Sequence, residues 1–105
     1  MVEMKIQWLE TAQEDLRQLR AYYIDNAGIN ATRKRIREIT ERVSLLSANP
    51  YLGKAEQELG RKTEQYRFLV CGDYKIYYYI KEQSIKIALL WDCRRNPKRL
   101  FDRLK

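Results

Sequence analysis

The run YRFLVCGDYKIYYYIKEQSIKIALLWDCRRNP, Tyr66 to Pro97, decides how this chain folds. It is rich in β-branched and aromatic residues and is cut twice by short polar pairs, Gly72-Asp73 and Glu82-Gln83. Such pairs between apolar runs mark tight hairpins, so the run predicts three antiparallel strands: Tyr66–Cys71, Tyr74–Lys81 and Ser84–Trp91. Side chains alternate faces along a strand. Carried through both turns, a period of two puts Leu69, Ile76, Tyr78, Ile80, Ile85, Ile87, Leu89 and Trp91 on one oily face, with Arg67 and Cys71 near its ends. The other face then holds Tyr66, Phe68, Val70, Lys75, Tyr77, Tyr79, Lys86, Ala88, Leu90 and Asp92. An uncovered antiparallel face is ordinarily polar. Three readings of this aromatic and basic one stay open: cover by another chain, a platform where rings stack on bases and lysines meet phosphates, or tyrosines serving only as good strand formers.

Upstream, Lys5–Leu9 alternates like a short strand. Ala12, Leu16, Leu19, Tyr23 and Ala27 then recur at helical steps. Thr11 and Glu14 suit a capping box, and Gly28 suits a left-handed terminator. A second helix, capped by Asn30, carries Ile36, Ile39, Val43 and Leu46 on one side and stops at Asn49-Pro50. The two form an antiparallel hairpin. Arg33, Lys34, Arg35 and Arg37 read as a solvated face, since the same helix carries matching acids. Residues 49–65 are a surface connection with room for a partial strand or helical turn near Ala55–Leu59. Asn96 and Pro97 open a short last helix. The expected architecture is α+β, β-α-α-β-β-β(-α), a helical hairpin on one face of a small antiparallel sheet, in a single domain over residues 1–105.

Charge narrows the partners. Residues 1–60 carry nine Lys/Arg and nine Asp/Glu, whereas residues 61–105 carry twelve and five, so the net +7 lies in the strand half. A basic half favours a polyanionic partner, nucleic acid or an acidic protein segment. No apolar run approaches the ~18 residues of a membrane span, and the charged start does not resemble a secretory signal. A cytoplasmic protein with free thiols is expected. Without histidine, the usual general base is missing and a zinc site lacks ligands; no cofactor or metal is expected. Chemistry, if any, must use Lys, Arg and Tyr. RNA, with its internal 2′-hydroxyl nucleophile, is then the natural substrate for a metal-independent endoribonuclease. Lys75 would be clamp or base, Arg94 and Arg95 would hold phosphate, and Tyr77 would orient a base.

Trp8, Ala12, Asp15 and Leu16, then Tyr22-Tyr23, Asn49-Pro50 and Gly53, Tyr66-Arg67, Tyr74-Lys75-Ile76-Tyr77-Tyr78 and Asp92-Cys93-Arg94-Arg95-Asn96-Pro97 form an ordered set spanning nearly the whole chain. In it the chain resembles the RelE/ParE superfamily of toxins from bacterial type II toxin–antitoxin modules. The resemblance implies the same element order. It also implies a cognate antitoxin, acidic, that masks the toxin and carries the module's operator-DNA binding. RelE-like members cleave mRNA on the ribosome; ParE-like members poison DNA gyrase. Lys75 and Arg95 match two basic positions of the RelE type and would be its catalytic pair. The positions of its lysine pair read Tyr66 and Phe68, and its late tyrosine falls near Phe101. The Tyr-Arg, Tyr-Lys-Ile-Tyr-Tyr and Arg-Asn-Pro strings are closer to ParE-type or plasmid-stabilisation chains. Substrate or partner contacts are expected at Tyr66, Arg67, Phe68, Tyr77, Tyr79, Arg94, Lys98 and Arg99. A small basic nucleic-acid-binding domain without toxicity is the third reading.

Overall fold

A computed structural model describes residues 3–56 and 65–104, for Phe101 the backbone alone. In chain order the elements are β1 (Lys5–Trp8), α1 (Glu10–Ala27), α2 (Ile29–Ser44), a 3-10 turn (Leu45–Ser47), β2 (Lys54–Ala55), β3 (Arg67–Cys71), β4 (Tyr74–Lys81), β5 (Ser84–Asp92) and α3 (Pro97–Leu104). The sheet order is β1-β5-β4-β3-β2. The architecture is the expected α+β one, but the sheet is mixed: β1 runs parallel to β5, from Lys5 opposite Ser84 to Trp8 opposite Ile87, and the remaining pairs are antiparallel. Turn chemistry fixes only sequence neighbours, so nothing local announces this pairing of the chain's distant parts.

The helical hairpin buries the expected stripes, Ala12 and Leu19 from α1 and Ile39 and Val43 from α2, with Leu46 just beyond. Gly28 ends α1 at φ 88° and ψ 170°, a region essentially reserved for glycine, and its N–H donates to the Tyr23 carbonyl at 3.1 Å. Neither side-chain cap forms. Leu9 occupies the N-cap of α1 and Gly28 that of α2. Thr11 lies inside the helix and its hydroxyl donates to the Ala88 carbonyl of β5 at 2.6 Å, while Glu14 pairs with Arg17. A tertiary acceptor has taken the group that local pattern assigned to the cap. Asn30 likewise sits within α2, where Thr32 donates to the Gly28 carbonyl at 2.7 Å.

Side chains of β3 and β4 tie the 49–65 connection to the sheet. The Tyr78 hydroxyl donates to the Pro50 carbonyl at 2.8 Å and accepts the Gly53 N–H at 2.9 Å. Arg67 donates to the Gly53 carbonyl at 2.6 Å and stacks over the Tyr51 ring. Gly53 is so close that a Cβ would sit 2.7 Å from the Tyr78 ring and 2.8 Å from the Phe68 carbonyl. The expected partial strand is present as β2, at Lys54–Ala55; residues 57–64 of that connection lie outside the described residues.

Both hairpins turn where expected. In the second, Glu82 and Gln83 take φ 54° and 61°, positions that favour Asn-Gly. Replacing the pair by Asn-Gly is therefore expected to raise the unfolding free energy by about 1 kcal/mol. Denaturant unfolding at constant m-value checks it.

One irregularity reorganises the faces. Tyr77 lies opposite Leu89 but Tyr78 lies opposite Ile87, so Ala88 is an extra residue in β5. Such a bulge flips every later side chain to the other face. The period-two expectation therefore fails for four residues. Leu89 and Trp91 leave the helix side, and Leu90 and Asp92 join it, opposite Ile76 and Tyr74. The bulge is braced from α1. Thr11 satisfies the Ala88 carbonyl, and Asp15 Oδ2 accepts the Leu90 N–H at 3.0 Å.

The result is two cores. The larger lies between the helical hairpin and the sheet and includes Leu69, Ile76, Tyr78, Ile85, Ile87 and Leu90. The smaller lies on the opposite face, where Tyr77, Leu89 and Trp91 pack against Leu100 and Leu104 of α3. The tyrosine face is thus partly covered by the chain's own last helix. Asn96 caps that helix, accepting the Lys98 N–H at 3.0 Å, and Pro97 is its first residue, as expected. Arg103 anchors it to Asp15 at 3.0 Å.

Candidate functional site

The sheet face bearing α3 keeps a basic and aromatic margin. Lys75 Nζ lies 4.5 Å over the Phe68 ring, and Lys75 faces Trp91 across the β4–β5 pair. The Arg95 guanidinium stands 5.9 Å from the Trp91 ring centre. Lys75 and Arg95 therefore border the same indole, each over an aromatic face that attracts cations. At the other end Tyr66 and Tyr79 meet edge to face, 5.5 Å apart. Lys98 and Arg99 are exposed on α3.

Three of the expected contact residues stand elsewhere. Tyr77 is 0% exposed beneath α3, and its hydroxyl donates to Glu56 at 3.0 Å. Arg67 is spent on the Gly53 carbonyl. Arg94 grips Asp92, its Nε at 2.9 Å from Oδ1 and its Nη2 at 2.8 Å from Oδ2. The sequence reading missed Trp91 because the bulge had placed it on the wrong face. The Phe101 side chain, where the late tyrosine of a RelE-type site would fall, lies outside the described residues.

Electrostatics follow these contacts. The hydrogen bond from Arg94 holds the Asp92 carboxyl below its ordinary value of 3.8, against the effect of partial burial. Burial raises the Tyr74 phenol to about 12 and pushes up the Cys93 thiol, so both are neutral donors at neutral pH. Because the folded Asp92 pKa is depressed, its contribution to stability is complete above the unfolded value and is lost as pH falls through the lowered one. Carbon-detected NMR should give Asp92 a midpoint below 3.8, and Arg94→Ala should move that midpoint up.

The outer side of the helical hairpin carries a second surface. Two adjoining clefts of about 570 and 410 Å³ share Arg20 and Thr40. Leu16, Ile24, Ile29 and Ile36 give them apolar walls, and Arg17, Arg20, Arg33 and Arg37 give them a basic rim. Arg33 and Arg37 therefore edge a groove and do not simply cover a solvated face. Among the described residues no cluster of acids and thiols could hold a metal ion, and no helix is long and apolar enough to cross a membrane. What the arrangement offers is binding: fixed cations over rings on one side, an apolar groove with arginines on the other.

Comparison with known proteins places this geometry. The family model described as the ParE toxin of type II toxin–antitoxin system, parDE, matches residues 6–97. No curated protein sequence matches the chain. Among solved structures, a chain of the chromosomal ParDE toxin–antitoxin system from P. aeruginosa superposes with TM-score 0.70 at 20% identity, covering 84% of this chain and 94% of that one. A chain of the RelBE2 toxin–antitoxin complex from Mycobacterium tuberculosis gives 0.57 at 19%, covering 85% and 96%. The YoeB dimer from Staphylococcus aureus gives 0.53 at 23%, covering 83% and 93%. At these identities the structural matches speak for the fold.

Proposed function

The chain belongs to the ParE toxin family of type II toxin–antitoxin systems, and from that premise we propose that this toxin halts growth by binding DNA gyrase, with no bond-breaking step of its own. The observation that supports the reading is the state of the sheet face where a nuclease would work. Tyr77 is sealed under α3 and hydrogen-bonded to Glu56. Histidine is absent. Proton transfer needs a positioned acid or base within hydrogen-bond reach. The purified toxin is expected to inhibit supercoiling by gyrase and to accumulate cleaved DNA. Full supercoiling at excess toxin, with growth still arrested in cells, would count decisively against it.

A RelE-like action, cleavage of ribosome-bound mRNA, is the second reading. It draws on Lys75 and Arg95 standing beside Trp91. If it holds, Lys75→Ala and Arg95→Ala each abolish mRNA cutting measured by primer extension. A non-toxic nucleic-acid-binding role does not fit membership of a toxin family.

The toxin's partner is a cognate antitoxin, through which operator DNA would be reached. The arginine-rimmed groove fits an acidic amphipathic segment of it, since complementary charge steers and orders such contacts. Arg20→Glu with Arg33→Glu should weaken antitoxin binding at least about tenfold, more at low salt than at high, because each reversed rim charge repels. Titration calorimetry at two salt concentrations measures this.

A further inference from the structure

A third cleft, of about 280 Å³, opens where the middle of α1 faces the ends of β4 and β5. Leu19 and Leu90 form its floor, Tyr22 and Tyr74 its aromatic sides, and Gln18 and Arg95 stand at its margin. Its charges are mostly settled within the protein. Asp15 is committed to the Leu90 N–H and to Arg103, and Asp92 to Arg94. Arg95 makes no carboxylate contact among the described ion pairs, so its guanidinium acts on Asp92 only at longer range and keeps its hydrogen-bond donors for a ligand.

The segment carrying that charge is held in place. The Arg94 N–H donates to Asp92 Oδ1 at 2.9 Å, the Arg95 N–H to the Asp92 carbonyl at 3.0 Å, and the Cys93 N–H to the Asp73 carbonyl at 2.7 Å. Tyr22 is 48% exposed; its ring meets that of Tyr23 edge to face at 5.7 Å and has exposed surface to offer a flat ring. Tyr74, held neutral by burial, can only donate or accept a hydrogen bond. A small apolar floor, a phenol wall, an amide and one guanidinium outside any close ion pair complement a flat heterocycle carrying an anionic group.

We propose that this cleft binds a single nucleotide, its base against Tyr22 and read by Gln18, its phosphate on Arg95. The ligand is either a free nucleoside monophosphate or the phosphorylated end of a nucleic acid strand. The site is separate from the gyrase reading; it shares Arg95 with the RelE-like one, so Tyr22 and Gln18, both on α1, are the residues whose effects belong to this cleft alone.

The test is an NMR titration of the purified toxin with AMP, GMP, CMP and UMP, with adenosine, with inorganic phosphate, and with a single-stranded hexanucleotide with and without its 5′-phosphate. Saturable shifts at the Gln18 side-chain amide and the Leu90 amide are expected with at least one monophosphate. Tyr22→Ala, an exposed position that leaves the fold intact, should weaken that binding about tenfold, the loss of one base–ring stack. Arg95→Ala should weaken the monophosphate about tenfold and leave adenosine unchanged, since it removes one charge-assisted contact. Saturation by the monophosphate alone identifies a metabolite site. Saturation also by the hexanucleotide, lost with its 5′-phosphate, identifies a strand end. The proposal is overturned if no probe saturates, if inorganic phosphate shifts the same amides with equal affinity, or if Tyr22→Ala leaves affinity unchanged.

Discussion

Trp91→Ala is expected to lower the unfolding free energy by about 3–5 kcal/mol, the range for truncating a fully buried large aromatic. Trp91 is 3% exposed in a core of few members, with Tyr77, Leu89, Leu100 and Leu104. Against a total stability of about 5–15 kcal/mol for a domain, this is a large share. Trp91 and Tyr77 are the two large buried aromatics of that core, so loss of the indole leaves a cavity that its neighbours fill only by shifting. It also takes the ring from beneath Arg95 and the wall from beneath α3. Two readouts are expected together: a lower denaturant midpoint, and faster amide exchange over residues 97–104 than over α1. If the midpoint falls while α3 keeps its protection, then Leu89 and Tyr77 hold the helix and Trp91 does not.

Asp15→Ala should cost about 3 kcal/mol, more than its place on a helix surface would suggest. Its side chain is 13% exposed and accepts three contacts from two donors: the Leu90 N–H at 3.0 Å and Arg103 Nη2 at 3.1 and 3.0 Å on its two oxygens. Charge-assisted bonds contribute about 1.5–3 kcal/mol each, and a buried N–H left without an acceptor adds its desolvation. Asp15→Asn keeps an acceptor for Leu90 and loses the charge facing Arg103, so its cost should be about half that of Asp15→Ala. Equal losses in the two variants would mean that the ion pair, not the brace on the bulge, carries the effect. Exchange of the Leu90 amide separates the two directly.

Much of the fold was legible in residue order because each signal was local. Helical steps gave α1 and α2, Gly72-Asp73 and Glu82-Gln83 gave the hairpins, and Asn96-Pro97 gave the start of α3. What escaped was set by contacts distant in sequence. Thr11 has the right neighbours for a capping box, yet Ala88, far along the chain, claims its hydroxyl. The bulge at Ala88 has no glycine or proline to mark it; it persists because Thr11 and Asp15 satisfy the backbone groups it disturbs. From that one slip followed the misplacement of Leu89, Leu90, Trp91 and Asp92. Cover by another chain was one of three readings of the aromatic face; part of it is covered by Leu100 and Leu104 of this same chain. Lys75 and Arg95 were named from pattern and do border a common ring; Tyr77 was named from the same pattern and is sealed.

The position of β5 between β1 and β4 has a consequence for synthesis. β1 leaves the ribosome well before its ladder partner, Ser84–Ile87. Throughout most of translation the N-terminal strand has no edge to join, and the helical hairpin has no floor to close on. The smaller core waits longer still, for Leu100 and Leu104. Nascent toxin is therefore unable to adopt its active shape gradually. The sheet closes only once β5 is available to stand between β1 and β4.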